Sequence, residues 1–127
     1  MIDSLKMASR LDRMAIGLSA LCAVHCVLTV VLLGALSSLG YLFAAPIIHE
    51  AGLAFAIVLG AVALGAGIRR HRLLWPSVIG FAGLSLMAIA LLLVHGLGEA
   101  IVTICGVALV ASAHYFNIRA DHNLHAH

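Results

Sequence analysis

Two thiols and an imidazole, Cys22, His25 and Cys26, lie together in the stretch SALCAVHCVLT, residues 19–29, inside a long apolar run. On a helix turning about 100° per residue, Ser19, His25, Cys26 and Thr29 all fall within about 60° of Cys22. One face of that segment is therefore a polar stripe. Its three strongest ligands are of the kind taken by Zn(II), Cu(I) and other soft cations such as Hg(II). The competing reading is packing, because Cys is small and readily buried, and Ser, Thr and His in membrane helices often only bond across to a neighbour.

Other residues of the same chemistry come in pairs. His49 stands beside Glu50, and His95 precedes Glu99. An imidazole and a carboxylate at one mouth form a loose capture site for a divalent cation, whereas acids at helix starts also suit the helix dipole. His114 shares a helix face with Glu99, Thr103 and Asn117, while Cys105 points to the opposite side and is expected to pack. The chain ends in DHNLHAH, where His122, His125 and His127 supply a further imidazole set for borderline metals. Met87 is expected to pack rather than to bind an ion.

The elements that must position these groups follow from composition. Of the 127 residues, 64% are hydrophobic and 9% charged, and mean hydropathy is +1.17, far above that of ordinary soluble domains. The chain reads as a membrane protein. A hydrocarbon core of about 30 Å takes about 20 helical residues. Four apolar stretches are long enough, at about residues 14–36, 48–68, 73–94 and 100–117, with a short His-containing tail over 120–127. The expected fold is all-α: a polytopic membrane protein whose single domain is a compact bundle of four transmembrane helices. The first stretch is too long for a signal peptide and reads as a retained helix. The second carries Gly52, Ala56, Gly60, Ala63 and Gly67 along one face, a groove for close helix packing.

Charge gives the expected orientation. Lys6, Arg10 and Arg13 precede the first span, Arg69, Arg70 and Arg72 separate the second from the third, and Arg119 follows the fourth. The two remaining loops have no Lys or Arg, so both termini are expected in the cytoplasm. A net charge of +2 is explained by this topology and gives no reason to expect nucleic-acid binding.

Asp12 and Arg13 before the first span, the CAVHC of residues 22–26, His49 with Glu50, the RRHR of residues 69–72 and the AHYFNIR of residues 113–119 together resemble the MerC family. The resemblance covers nearly the whole chain. It implies a four-helix carrier of the bacterial inner membrane that takes up mercuric ion from the periplasm for cytoplasmic detoxification, with Cys22 and Cys26 matching the cysteine pair that receives the ion. The chain has three residues between these cysteines where the best-known members have two, and it has imidazoles where they carry a second cysteine pair near the C-terminus. Mixed Cys/His ligands suit zinc better than mercury.

The function expected from these readings is import of a soft divalent cation by ligand exchange, Hg(II) by resemblance and Zn(II) by ligand set. No enzyme activity and no tightly bound cofactor are expected, and neither GxxxxGK[ST] nor GxGxxG occurs. The partners in view are the lipid bilayer, the metal ion, a cytoplasmic metal acceptor and a second copy of the chain in a homodimer. Rival functions are a membrane thiol-disulfide oxidoreductase using Cys22 and Cys26, a haem-binding protein using His25 and His114, and a metal sensor that does not transport.

Overall fold

The computed structural model describes residues 2–35, 45–94 and 96–125. Four helices account for nearly all of them: α1 (Ile2–Ala35), α2 (Pro46–His71), α3 (Trp75–Ala90) and α4 (Leu97–His125). No strand occurs among the described residues. Helices suit an apolar chain in lipid because each satisfies its own backbone groups.

Three of the helices are long and apolar enough to cross a membrane, with candidate spans at Lys6–Leu32, Pro46–His71 and Leu97–Asn123. The remaining helix, α3, has 16 residues. At 1.5 Å per residue it is about 24 Å long, shorter than the expected 73–94 segment. Pro76 sits in its first turn, and its end tightens into turns in which Leu92 N–H bonds Ile89 C=O and Leu93 N–H bonds Ala90 C=O. Helix α4 runs further than expected, continuing through residues 120–125 where a tail was read.

Helix ends follow local chemistry. Pro46 opens α2, where its missing N–H costs nothing, and Arg69, Arg70 and His71 close it beside the carbonyls of the last turn. Arg72 then turns the chain in the left-handed conformation, φ 56°, with its N–H bonded to Ile68 C=O.

Packing relies on small residues. A Cβ on Gly83 of α3 would lie 2.6 Å from the Gly106 carbonyl of α4, and one on Gly106 would lie 2.8 Å from the Gly83 carbonyl. The two backbones therefore touch, as small residues permit in lipid. On α2 the small-residue face is turned inward: Ala56, Gly60, Ala63 and Gly67 are buried. Gly60 meets Leu84, and Gly67 approaches Asn117. An apolar cluster of Ala56, Met87, Val107 and Val110 joins three helices, with Leu18, Cys22 and Ala23 of α1 packed against it. Trp75 and Phe116, ring centroids 4.8 Å apart, tie the start of α3 to α4.

Burial is the reverse of a water-soluble protein's. Leu21, Val24, Phe55, Val58, Phe81 and Ile101 point outward, whereas Asp12, Ser19, Thr29, His71, Glu99, Thr103, His114 and Asn117 are buried. Polar side chains join the helices from within, and between the charged ends the outer surface is largely hydrocarbon.

Candidate metal centre

The stripe on α1 faces the bundle. Ser19, Cys26 and Thr29 are buried, and Cys22 and His25 are half-buried. Thr29 donates its hydroxyl to the His25 carbonyl at 2.8 Å, within α1 itself.

Helix α2 brings His49 to them. Cys26 Sγ lies 3.7 Å from His49 Nε2, and the rings of His25 and His49 are 5.2 Å apart between centroids. One ligand atom from each of His25, Cys26 and His49 can be chosen so that all lie within 4.8 Å of one another. A single ion between them would see one sulfur and two nitrogens, a set suited to a tetrahedral or lower-coordinate soft cation. Helix α4 adds a carboxylate: Glu99 Oε1 is 3.7 Å from His49 Nε2, and Glu99 is buried.

Two cavities adjoin Cys26. The larger, about 330 Å³, is walled by Cys22, His25, Cys26, His49, Met87 and Thr103. The smaller, about 10 Å³, is enclosed by Cys26, Thr29, His49 and Glu99 together with Gly96 and Ala100. That second space is the size of one water. Cys26 thus separates an ion-sized recess beside a carboxylate from a wider chamber containing the other thiol.

The other candidate residues are distributed as follows. Cys22 is on the chamber wall, outside the tight group of three. Glu50 is exposed, although its neighbour His49 turns inward. Cys105 is exposed on α4, away from the other thiols. His122 is exposed near the end of α4. His95, His127 and the side chain of His125 lie outside the described residues.

His114 belongs to a second polar layer. Its Nδ1 is 2.6 Å from Asp12 Oδ1, and Asn117 donates from Nδ2 to Asp12 Oδ2 at 2.9 Å and to the Ala63 carbonyl at 3.4 Å. Asp12 and His114 are both 0% exposed. His71 completes the layer, its Nε2 2.9 Å from Asn117 Oδ1. One backbone group sets the direction of these bonds. Leu73 N–H donates to His71 Nδ1, so the proton of a neutral His71 is on Nε2 and is donated to Asn117 Oδ1. Asn117 is thereby oriented with its amide nitrogen towards Asp12.

Sequence reasoning placed Asn117 on the face of His114 and Asp12 in a motif, but it did not join them or add His71. The available signal was a carboxylate on the α1 face opposite Arg10, together with an imidazole and an amide three residues apart on α4. Thr103 was seen on the same α4 face as Glu99, without a cavity for it to line.

Neither the curated proteins nor the solved structures contain a significant match to the chain. A family described as MerC mercury resistance protein matches residues 12–119, from the buried aspartate of α1 to the last arginine of α4, and covers both polar layers. The chain belongs to the MerC family.

Proposed function

We propose that this protein carries a soft divalent metal ion across the bacterial inner membrane, from periplasm to cytoplasm, by passing it between side chains of the bundle. The observation that carries the proposal is the convergence of His25, Cys26 and His49, whose ligand atoms lie within 4.8 Å of one another between α1 and α2. Membership of a mercury-resistance family makes Hg(II) the expected cargo. The mixed sulfur and nitrogen set also suits Zn(II).

In this reading the ion first meets the recess bounded by Glu99, His49 and Cys26, where the carboxylate offsets its charge. It then binds between His25, Cys26 and His49. Cys22, one turn along α1 on the chamber wall, takes it next, its thiol replacing one of the two nitrogen ligands while Cys26 stays bound. Release beyond Cys22 requires the Asp12, His114, Asn117 and His71 layer to part, which makes that layer the inner closure. His122, on the same side as that closure, is available to a cytoplasmic acceptor. The ion is cargo, and the chemistry is ligand exchange with no covalent turnover.

The driving force needs no nucleotide. An inside-negative potential favours inward movement of a divalent ion by about 4 to 5 kcal/mol per 100 mV. Metal binding to thiols and imidazoles also releases protons, which couples capture to pH.

The test is uptake of Hg(II), and separately of Zn(II), into sealed liposomes with an imposed inside-negative potential. Wild-type protein should accumulate the ion, and a Cys22→Ser, Cys26→Ser double variant should not. The faster ion identifies the cargo. Stoichiometric binding without uptake of either ion would overturn transport and leave a metal sensor.

A further inference from the structure

A charged groove lies apart from the metal centre. It has a volume of about 340 Å³ and runs between α1 and α4, with Lys6, Arg10 and Arg13 on the α1 wall and Asp121 and His122 on the α4 wall. Spacings of four and three residues put the three cations within about 60° of one another on α1. Among the described residues Asp121 is the one carboxylate lining the groove, and it is already engaged. Arg70 of α2 grips it twice, Nε to Oδ1 at 3.0 Å and Nη2 to Oδ2 at 2.6 Å. Its charge is offset from outside the groove, so among the described residues that line the recess the cations of α1 meet no uncompensated acid; Asp3, exposed one turn before Lys6, is not among them.

The same face of α1 changes character along the helix. Met14, Leu21, Val24 and Leu28 lie within about 40° of Arg10 and are all exposed. A charged recess therefore heads an outward apolar stripe. Phosphate chemistry satisfies the recess, but free phosphate makes no use of the stripe. A molecule with an anionic phosphate at one end and hydrocarbon at the other uses both, and basic recesses at the edge of a transmembrane bundle are where such headgroups bind.

We propose that the groove between α1 and α4 is a headgroup site for an anionic phospholipid, whose phosphate sits among Lys6, Arg10 and Arg13 and whose acyl chains run along Met14, Leu21, Val24 and Leu28. The site is independent of the metal reading. It fastens the outer side of α1 to the membrane at the end where Asp12 fastens its inner side to α4.

The experiment is native mass spectrometry of the detergent-solubilised protein with equimolar phosphatidylglycerol and phosphatidylcholine of matched acyl chains. Detergent removes any effect of charge on membrane orientation. Wild-type protein should retain phosphatidylglycerol over phosphatidylcholine by about tenfold or more. Lys6→Gln, Arg10→Gln, Arg13→Gln should abolish the preference, whereas Arg69→Gln, Arg72→Gln, which removes exposed cations outside the groove, should keep it. Circular dichroism checks that each variant is folded. If the triple variant is not, Arg10→Gln alone should lower the preference several-fold and Arg10→Lys should restore it. Excess inorganic phosphate should not displace the lipid. Absence of a preference, equal loss in the Arg69 and Arg72 control, or displacement by inorganic phosphate would overturn the proposal.

Discussion

Glu99 and Glu50 are the same chemical group, each near a histidine in sequence, yet they differ in what they can do. Glu99 is buried 3.7 Å from His49 Nε2, while Glu50 is exposed. Glu99 approaches the same His49 nitrogen that faces Cys26, so it would stand beside an ion held there as a compensating charge. Glu99→Gln should accordingly weaken metal binding about tenfold, and Glu50→Gln should leave it unchanged, as measured by competition with a chromophoric chelator in detergent. The two thiols differ in a related way. Cys26 is in the group of three candidate ligands, so Cys26→Ser should remove stoichiometric binding; Cys22 is on the chamber wall, so Cys22→Ser should retain binding and slow uptake in liposomes. Equal binding loss in the two variants would show that they act as one site. The α1 members of the centre were legible in sequence because a helix of regular pitch puts Cys22, His25 and Cys26 on one arc. The choice of His49 over Glu50 was legible too, because His49 continues the face of Gly52, Ala56, Gly60, Ala63 and Gly67 while Glu50 is about 100° round the helix; which residues of α1 and α4 meet His49 was not, because that depends on how separate helices pack.

At the scale of elements, the rotation of each helix is set by where its small and polar residues can go. The face of Gly52, Ala56, Gly60, Ala63 and Gly67 could be read from the four-residue spacing, and much of it is buried. The crossing of Gly83 with Gly106 could not, because two glycines on different helices give no periodic signal of meeting. That crossing makes a sharp prediction. A methyl group on either residue comes within 3 Å of the opposing carbonyl, and neither backbone can yield without separating α3 from α4. Gly83→Ala and Gly106→Ala should each destabilise the bundle by about 1 to 3 kcal/mol, measured by denaturation in mixed micelles. The Asp12 layer predicts a loss of similar origin. Asp12→Ala would leave the His114 Nδ1 and the Asn117 amide buried without their acceptor, at a cost of about 2 to 3 kcal/mol in the same assay. Met14→Ala, two residues on and on the outward face, should cost far less.

The basic residues gather at one end of the molecule, and its packing explains why. Asp12 of α1 meets Asn117 of α4, Arg70 of α2 meets Asp121 of α4, and Trp75 at the start of α3 meets Phe116 of α4. The first turns of α1, the junction of α2 with α3 and the last turns of α4 therefore come together at one end of the bundle. All seven Lys and Arg residues of the chain are in those segments. Four helices returning the chain to its starting side give the same pairing of termini, and positive residues are retained on the cytoplasmic face. The candidate metal centre occupies the opposite half, with His49 near the start of α2 and Glu99 near the start of α4, so the orientation expected from charge would open it to the outer side, as the proposed route requires. A cysteine-free background carrying either Ala45→Cys or Asn123→Cys checks the arrangement directly in intact spheroplasts. Membrane-impermeant maleimide should label residue 45 from outside and should reach residue 123 only after the membrane is opened. The reverse pattern would place the recess of Cys26, His49 and Glu99 on the cytoplasmic side and overturn the proposed route, because the membrane potential would still drive a cation inward while the recess that receives it first faced the wrong compartment.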